Sequence, residues 1–120
     1  MSVLVAVTDS KEGRQALADA ALEAQQLGTD LVVVNLMPHK LDTSALPDDL
    51  VHDVVNGQGS DDVDQVDVVL DALQSRPEVT RLVVGLRRRS PIGKAVLGSI
   101  AQRLLLESPV PLLAVKAPDA

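Results

Sequence analysis

The sequence contains no phenylalanine, tyrosine or tryptophan, so any core must be built from aliphatic side chains and methionine. Proteins that bind RNA or single-stranded nucleic acid commonly stack bases on aromatic side chains, and this chain offers none. Short continuous runs of Val, Leu, Ile and Ala are typical of strands buried on both faces of a parallel sheet. The composition therefore excludes stacking-based nucleic-acid recognition and favours a parallel α/β arrangement.

Cysteine is also absent, which excludes a disulfide framework and a thiolate metal site. The two histidines, His39 and His52, have no second histidine at ligand spacing, so no metal site is predicted. No apolar run approaches the length of a membrane span, and the amino terminus lacks the basic region of a signal peptide. For a chain of 120 residues we expect one cytoplasmic domain, over residues 1–120, with no membrane partner.

Charge is unevenly distributed along the chain, whose formal net charge is -6. Residues 41–75 include nine aspartates and no lysine or arginine, whereas residues 76–89 include five arginines. A mainly acidic surface repels nucleic acid. The local basic charge suits a small anion better than a duplex.

Alternating elements are predicted along the whole chain. Apolar runs predict strands at residues 3–7, 31–36, 50–55, 81–85 and 112–115, of which 50–55 alternates weakly and is expected at an edge. Apolar residues at helical spacing predict helices from about residue 11 to Gly28, over 63–73, and from Ser99. Segment 38–49 is interpreted as a loop, in which one helical turn is left open. The pattern predicts an α/β fold: an open, Rossmann-like, five-stranded parallel sheet with helices on both faces.

Capping signals precede two of the predicted helices. Asp9 or Ser10 can cap the first helix, and Asp9 is favoured because Glu12, three residues later, completes a capping box. Ser99 followed by Gln102 predicts a second box. Capping is the interpretation of these residues that requires no ligand.

The stretch from Gly85 to Ser99 combines glycines with the arginine triplet 87–89. If strands 3–7 and 81–85 are neighbours, their carboxyl ends form the crevice where open α/β sheets bind ligands. Gly98 and Ser99 lie at a predicted helix start, where backbone N–H groups and the helix dipole attract anions. Arginine suits bidentate phosphate contact, although the triplet is equally interpreted as a solvated surface or as a partner of the Asp-rich segment 61–71.

Several familiar motifs are excluded. Gly93-Lys94 is followed by Ala95, which breaks a P-loop, and Asp62 stands where a dinucleotide fingerprint requires its third glycine. There is no Gly-x-Ser-x-Gly elbow and no recognisable pairing of serine, histidine and acid. We therefore predict no catalytic residue, and at most slow hydrolysis of a bound nucleotide.

The spacing Gly85-x2-Arg88-x9-Gly98-Ser99 resembles the nucleotide-binding signature of the universal stress protein family, Gly-x2-Gly-x9-Gly-Ser/Thr. An opening strand that ends in Thr8-Asp9-Ser10, a second strand that ends in Val34-Asn35-Leu36, and a closing Pro-Val-Pro-Leu-Leu-Ala-Val also match the family. The resemblance implies a fold like that of the adenine nucleotide alpha hydrolases. It also implies binding of ATP, ADP or AMP, with or without Mg²⁺, a stress-response or regulatory role, and a homodimer formed through the last strand, from Leu112 to Val115. The short segment 38–49 predicts that the family's second helix is cut down or missing.

Site residues are carried over from the resemblance position by position. It implies that Val7, Thr8 and Asp9 line the ribose or adenine end and that Leu36 contacts adenine. The residues implied to hold ribose and phosphates through their backbone are Gly85, Gly98, Ser99 and Ile100. Arg88 replaces the signature's second glycine, so it either contacts phosphate or fills the site. In the second case the protein is a dimeric protein-interaction module that binds no nucleotide.

Overall fold

The structure is a computed structural model that describes residues 1–44, 46–56, 62–89, 94–96 and 98–116. Residues 62–64, 87–89 and 94–96 are described by their backbone. The strands are β1 (Ser2–Val7), β2 (Asp30–Asn35), β3 (His52–Asn56), β4 (Val79–Arg89), β5 (Lys94–Val96) and β6 (Leu112–Lys116). The helices are α1 (Lys11–Leu27), α2 (Asp62–Ser75) and α3 (Ser99–Glu107).

Five of the strands form one parallel sheet in the order β3-β2-β1-β4-β6. This arrangement confirms the predicted five-stranded parallel sheet. The central strands β1 and β2 are continuous apolar runs because helices cover both of their faces. Strand β3, predicted at an edge, pairs with β2 at one end of the sheet, and β6 pairs with β4 at the other.

Two hydrophobic clusters cover the two faces of the sheet, as predicted. Alternate residues of β1 point to opposite faces, so Val3, Val5 and Val7 pack under α1 while Leu4 and Ala6 pack under α2 and α3. Helix α1 presents fully buried alanines at a spacing of four, at positions 16, 20 and 24. These small side chains let the helix lie close to a sheet that has no aromatic residues to cover.

Strand β4 is longer than predicted. The sequence interpretation ended it at Gly85, but it continues through the arginine triplet to Arg89 and pairs antiparallel with β5, which was not predicted. Arg88 lies opposite Ala95 in this hairpin. The prediction of a short strand was therefore wrong. The longer strand is favoured because pairing with β5 gives hydrogen-bond partners to backbone groups that would otherwise bond only to water.

Ser10, rather than the favoured Asp9, caps helix α1. The Ser10 backbone is extended, and its Oγ accepts a hydrogen bond from the N–H of Gly13 at 3.0 Å. The predicted capping box between Asp9 and Glu12 was wrong because the cap lies one residue later. The prediction that the helix ends at Gly28 is confirmed, since Gly28 has the left-handed backbone (φ 66°) that favours glycine.

The prediction that α3 starts at Ser99 is confirmed, but its capping differs from the prediction. Gly98 is the N-cap and makes no side-chain hydrogen bond, and Ser99 is the first helical residue. The second capping box, between Ser99 and Gln102, was therefore wrong. The N–H of Gln102 instead bonds to the carbonyl of Gly98 at 2.9 Å.

The connection between β2 and β3 contains turns and no helix at residues 38–44 and 46–51, which confirms the loop. The side chain of Asn35, only 1% exposed, stabilises the first turn of this loop. Its Oδ1 accepts from the N–H of Met37 and its Nδ2 donates to the carbonyl of His39, both at 3.0 Å. The chain is thereby turned back beside α1.

Candidate functional site

The order of the strands places a crevice between the carboxyl ends of β1 and β4. The chain adds β2 and β3 on one side of β1, then crosses to β4 and β6 on the other. The connection after β1 leads to α1 on one face, and the connection after β4 leads to α3 on the opposite face. This reversal is the topological switch point at which open α/β sheets bind ligands.

A cleft of about 270 Å³ lies at this point. It is bounded by the ends of β1, β2 and β4, by the starts of α1 and α3, and by one residue of α2. Of the residues predicted from the sequence to form a site, seven line it: Thr8, Asp9, Leu36, Gly85, Gly98, Ser99 and Ile100. Residues far apart in the chain, from the first strand to the last helix, are thus brought to one place.

Of the two remaining predicted site residues, Val7 does not line the cleft, and Arg88 is described only by its backbone. The Val7 side chain is fully buried beneath α1, and its carbonyl accepts a hydrogen bond from the N–H of Leu36 at 2.9 Å. Arg88 lies three residues past Gly85 on β4, and its side chain is outside what the structure describes. Val7 therefore belongs to the sheet's interior and joins the ends of β1 and β2.

The floor of the cleft is formed where β4 touches the first turn of α1. A Cβ atom on Gly85 would lie 2.8 Å from the Cβ of Glu12 and closer still to its backbone carbonyl. A Cβ on Gly13 would similarly collide with the backbone and hydroxyl of Thr8. Glycine at these two positions allows the strand and the helix to meet, which sets the depth of the cleft.

Helix α3 begins at the cleft. Gly98, Ser99 and Ile100 line it, and the Gly98 cap brings no side chain over the helix start. The amino-terminal turn of a helix carries partial positive charge on its N–H groups, which favours an anion. This end of the cleft therefore suits a phosphate.

Asp9 supplies the carboxylate at the mouth of the cleft. Its Oδ1 lies 3.7 Å from a guanidinium nitrogen of Arg14 and 3.6 Å from Nε2 of His39. All three side chains are more than half exposed, and exposed pairs of this kind contribute only about 0–1 kcal/mol. Asp9 can therefore exchange these partners for a ligand hydroxyl at little cost.

Gln65 was missed by sequence reasoning. It projects from α2 into the cleft, and its Nε2 donates to the carbonyl of Leu36 at 3.2 Å. Helix periodicity places Gln65 near a helix start but gives no indication that it reaches β2. Asn35 was also missed as an organiser, although a polar residue at the end of a continuous apolar run is a detectable signal.

Metal binding by side chains alone finds no support in the described ranges, where no three His, Asp or Glu side chains are grouped to hold an ion. Nor does any helix in those ranges have the length and apolarity needed to cross a membrane. The chemistry that the cleft offers is hydrogen bonding and helix-terminal electrostatics.

Comparisons with known proteins agree with this geometry. The model of the universal stress protein family matches residues 60–116. A universal stress protein of Mycolicibacterium smegmatis (strain ATCC 700084 / mc(2)155) is 37% identical over 126 residues, which cover 95% of this chain and 96% of the relative.

Solved structures show the same fold. A universal stress protein from Archaeoglobus fulgidus has a TM-score of 0.66 at 24% identity, over 97% of this chain and 98% of that one. The structure of the universal stress protein from Archaeoglobus fulgidus in complex with dAMP has a TM-score of 0.59 at 20% identity, with the same coverage. The near-complete match to the mycobacterial relative, on a Rossmann-like sheet of the same design, establishes that the chain belongs to the universal stress protein family.

Proposed function

We propose that this chain binds an adenine nucleotide in the cleft between β1 and β4 and acts as a stress-response or regulatory module. One observation carries the proposal: helix α3 begins at a cleft located at the switch point of the sheet, and its N-cap is a glycine, which has no side chain to cover the helix start. The relative solved in complex with dAMP supports the choice of adenine.

The nucleotide lies with its phosphate at the start of α3, near Gly98 and Ser99. Its ribose lies near Thr8 and Asp9, because a carboxylate accepts hydrogen bonds from sugar hydroxyls. The volume of about 270 Å³ is close to the lower end of the roughly 300–1,000 Å³ range of ligand pockets. The cleft thus holds a nucleoside monophosphate, and further phosphates extend outside it.

Adenine lies toward Leu36 and Gln65. The N–H of Leu36 is already bonded to Val7, so contact with the base is made by its side chain and carbonyl. The Gln65 amide, which bonds to that carbonyl, brings both donor and acceptor atoms to this end. Mg²⁺, when present, is held by the nucleotide's own phosphates, and the carboxylates among the described residues that line the cleft are Asp9 and Glu12.

The test uses the absence of aromatic residues and cysteine. The protein has almost no absorbance at 260 nm, so bound adenine is observed directly. After equilibrium dialysis against ATP, ADP or AMP with Mg²⁺, we expect close to one adenine per chain. Equal adenine absorbance in the two compartments, together with absence of calorimetric heat at saturating nucleotide, would reject the proposal.

Gly98→Leu is the matching variant. Gly98 has φ -70°, a conformation open to any residue, so leucine obstructs the helix start without backbone strain. We expect at least about tenfold weaker binding, the loss of a charge-assisted contact. Gln102→Leu adds a leucine to the exposed side of the same helix and is the control. Equal affinities of the two variants would place the nucleotide elsewhere.

We also propose that the chain forms a homodimer through β6. The dimer either accompanies nucleotide binding or, in a protein that binds no nucleotide, is itself the functional unit. Leu113 of this edge strand is 39% exposed, and the neighbouring Ala114 is also exposed. An edge strand offers a row of backbone groups that a second copy can pair with. Two-fold pairing of β6 with its own copy would also cover Leu113.

A further inference from the structure

A second cavity, of about 700 Å³, lies between α1 and the β2–β3 connection. None of its lining residues lines the nucleotide cleft. Its walls are mainly apolar and include Leu17 and Ala21 of α1 together with Met37 and Leu41 of the connection. Its volume falls within the roughly 300–1,000 Å³ typical of small-molecule sites.

The cavity exists because the β2–β3 connection crosses the flank of α1 without a helix at its described positions. Leu41, Leu46 and Leu50 insert into the core, each 7% exposed, and anchor the connection. On the outer side, Ala18 and Leu22 of α1 line the cavity but stay exposed, Leu22 at 53%. The anchored loop thus leaves an apolar space that the side chains of the described residues do not fill.

One end of the cavity carries nitrogen donors. Arg14 and His39 both line it, and Lys40 follows His39 on the same wall. Arg14 and His39 share the single carboxylate of Asp9 at 3.7 and 3.6 Å, outside the normal range of hydrogen bonds. The donors of Arg14 and His39 therefore meet where one distant carboxylate faces both of them.

The two aspartates that line the cavity already accept hydrogen bonds from neighbours. Oδ1 of Asp19 accepts from Nε2 of Gln15 at 3.0 Å. Oδ1 of Asp42 accepts from the N–H and the hydroxyl of Ser44, at 3.0 and 2.6 Å. These bonds hold the pKa of Asp42 below its usual range. Both carboxylates are thus engaged within their own segments. Among the described side chains, the carboxylate nearest to Arg14 and His39 is that of Asp9, at 3.7 and 3.6 Å, so a carboxylate at hydrogen-bond distance is the partner that they lack.

We propose that this cavity binds a small amphipathic carboxylate, with its apolar chain along α1 and its carboxylate on Arg14 and His39. Charge complementarity selects the head group, because a guanidinium binds a carboxylate in a bidentate manner. The apolar walls select an aliphatic tail, whose burial removes hydrocarbon surface from water. The described lining residues of this cavity differ from those of the nucleotide cleft, and Asp9 of that cleft lies beside Arg14 and His39.

The test titrates the full chain with decanoate, below its critical micelle concentration, by isothermal calorimetry. We expect saturable binding to one site and a higher midpoint of thermal unfolding. Decyltrimethylammonium, which has the same tail and the opposite charge, is expected to bind at least about tenfold more weakly because it lacks the charge-assisted contact. Absence of saturable heat with decanoate, or equal affinity for the two compounds, would overturn the proposal.

Two variants locate the ligand. Arg14→Gln is expected to weaken decanoate binding about tenfold, whereas Arg103→Gln, a control on α3 whose arginine pairs with Glu107 at 2.9 Å, leaves it unchanged. Ala18→Leu fills the cavity from an exposed helical position, so the fold is retained while binding is lost. Circular dichroism checks each fold. Unchanged affinity in Arg14→Gln or in Ala18→Leu would show that decanoate binds elsewhere.

Discussion

Gly85 and Gly98 both belong to the nucleotide signature, but they serve different physical purposes. At Gly85 a side chain would collide with the backbone of Glu12, so glycine is required for packing whether or not a ligand binds. At Gly98 the backbone is ordinary, and glycine matters because it leaves the helix start uncovered. The ligand-specific information therefore lies at Gly98 rather than at Gly85.

The role of Arg88 can be tested by a single substitution. At roughly 3.3 Å per strand residue, it lies about 10 Å beyond Gly85 along β4. If the nucleotide binds as proposed, with further phosphates extending outside the cleft, we expect Arg88 to contact those outer phosphates rather than the ribose. We expect Arg88→Thr, which keeps a residue suited to strands, to weaken ATP binding about tenfold and to leave AMP binding unchanged. Calorimetry with both nucleotides measures the difference. A gain in affinity for both would show instead that the arginine fills the site.

The start of α1 shows how an element selects among local signals. Thr8, Asp9 and Ser10 are all residues that cap helices, so sequence alone does not choose between them. The close approach of Gly13 to Thr8 and the 2.8 Å contact between the hydroxyls of Thr8 and Ser10 fix the helix start. Asp9 is consequently left at the mouth of the cleft, available for a role other than capping.

Capping and ligand roles can be separated by stability. Ser10→Ala removes the cap and is expected to lower the free energy of unfolding by about 1 kcal/mol. Asp9→Asn removes only exposed pairs and is expected to change it by less than about 0.5 kcal/mol. Urea unfolding followed by far-ultraviolet circular dichroism suits a chain without aromatic residues. A larger loss of stability in Asp9→Asn than in Ser10→Ala would show instead that Asp9 caps the helix.

The elements that sequence predicts best are those fixed by a local pattern. Strands β1 and β2 are continuous apolar runs, and each begins one residue earlier than predicted. Strand β1 ends at the predicted residue, and β2 ends one residue before it. Gly28 is similarly local, since it ends α1 through its own backbone. The β4–β5 hairpin was not predicted because its strands are rich in charge rather than alternating. Gln65 was missed because its partner, Leu36, is 29 residues away and comes near only after the chain folds. Asn35 was missed although its partners are local, Met37 and His39.

At the scale of the whole molecule, the cleft results from topology. The switch in strand order brings β1 beside β4, and α1 and α3 leave from opposite faces. The connection between β2 and β3, which has no helix at its described positions, has a separate consequence, the second cavity along α1. The strand order thus forms the cleft, and this connection forms the second cavity.

The proposed dimer is tested at this scale. We expect the protein to sediment as a dimer at micromolar concentration and Leu113→Asp to sediment as a monomer, because a charge at the paired edge is left desolvated. Val51→Asp is the control, since Val51 is 67% exposed beside β3 at the opposite edge. A monomeric parent protein, or a dimer that persists in Leu113→Asp, would rule out pairing through β6.

The two edges of the sheet differ in a way that limits assembly. Strand β3 carries Asp53, held by Arg76 at 2.7 Å, and the exposed His52, so its outer edge is polar and charged. Strand β6 instead presents Leu113 and Ala114. Charged edges resist sheet extension, whereas a two-fold contact uses the same surface on both copies and is then closed. If the proposed dimer forms through β6, the two-fold contact would occupy that edge on both copies, and the charges beside β3 would disfavour a further copy at the other edge. Assembly would then stop at a pair rather than continue into a fibre.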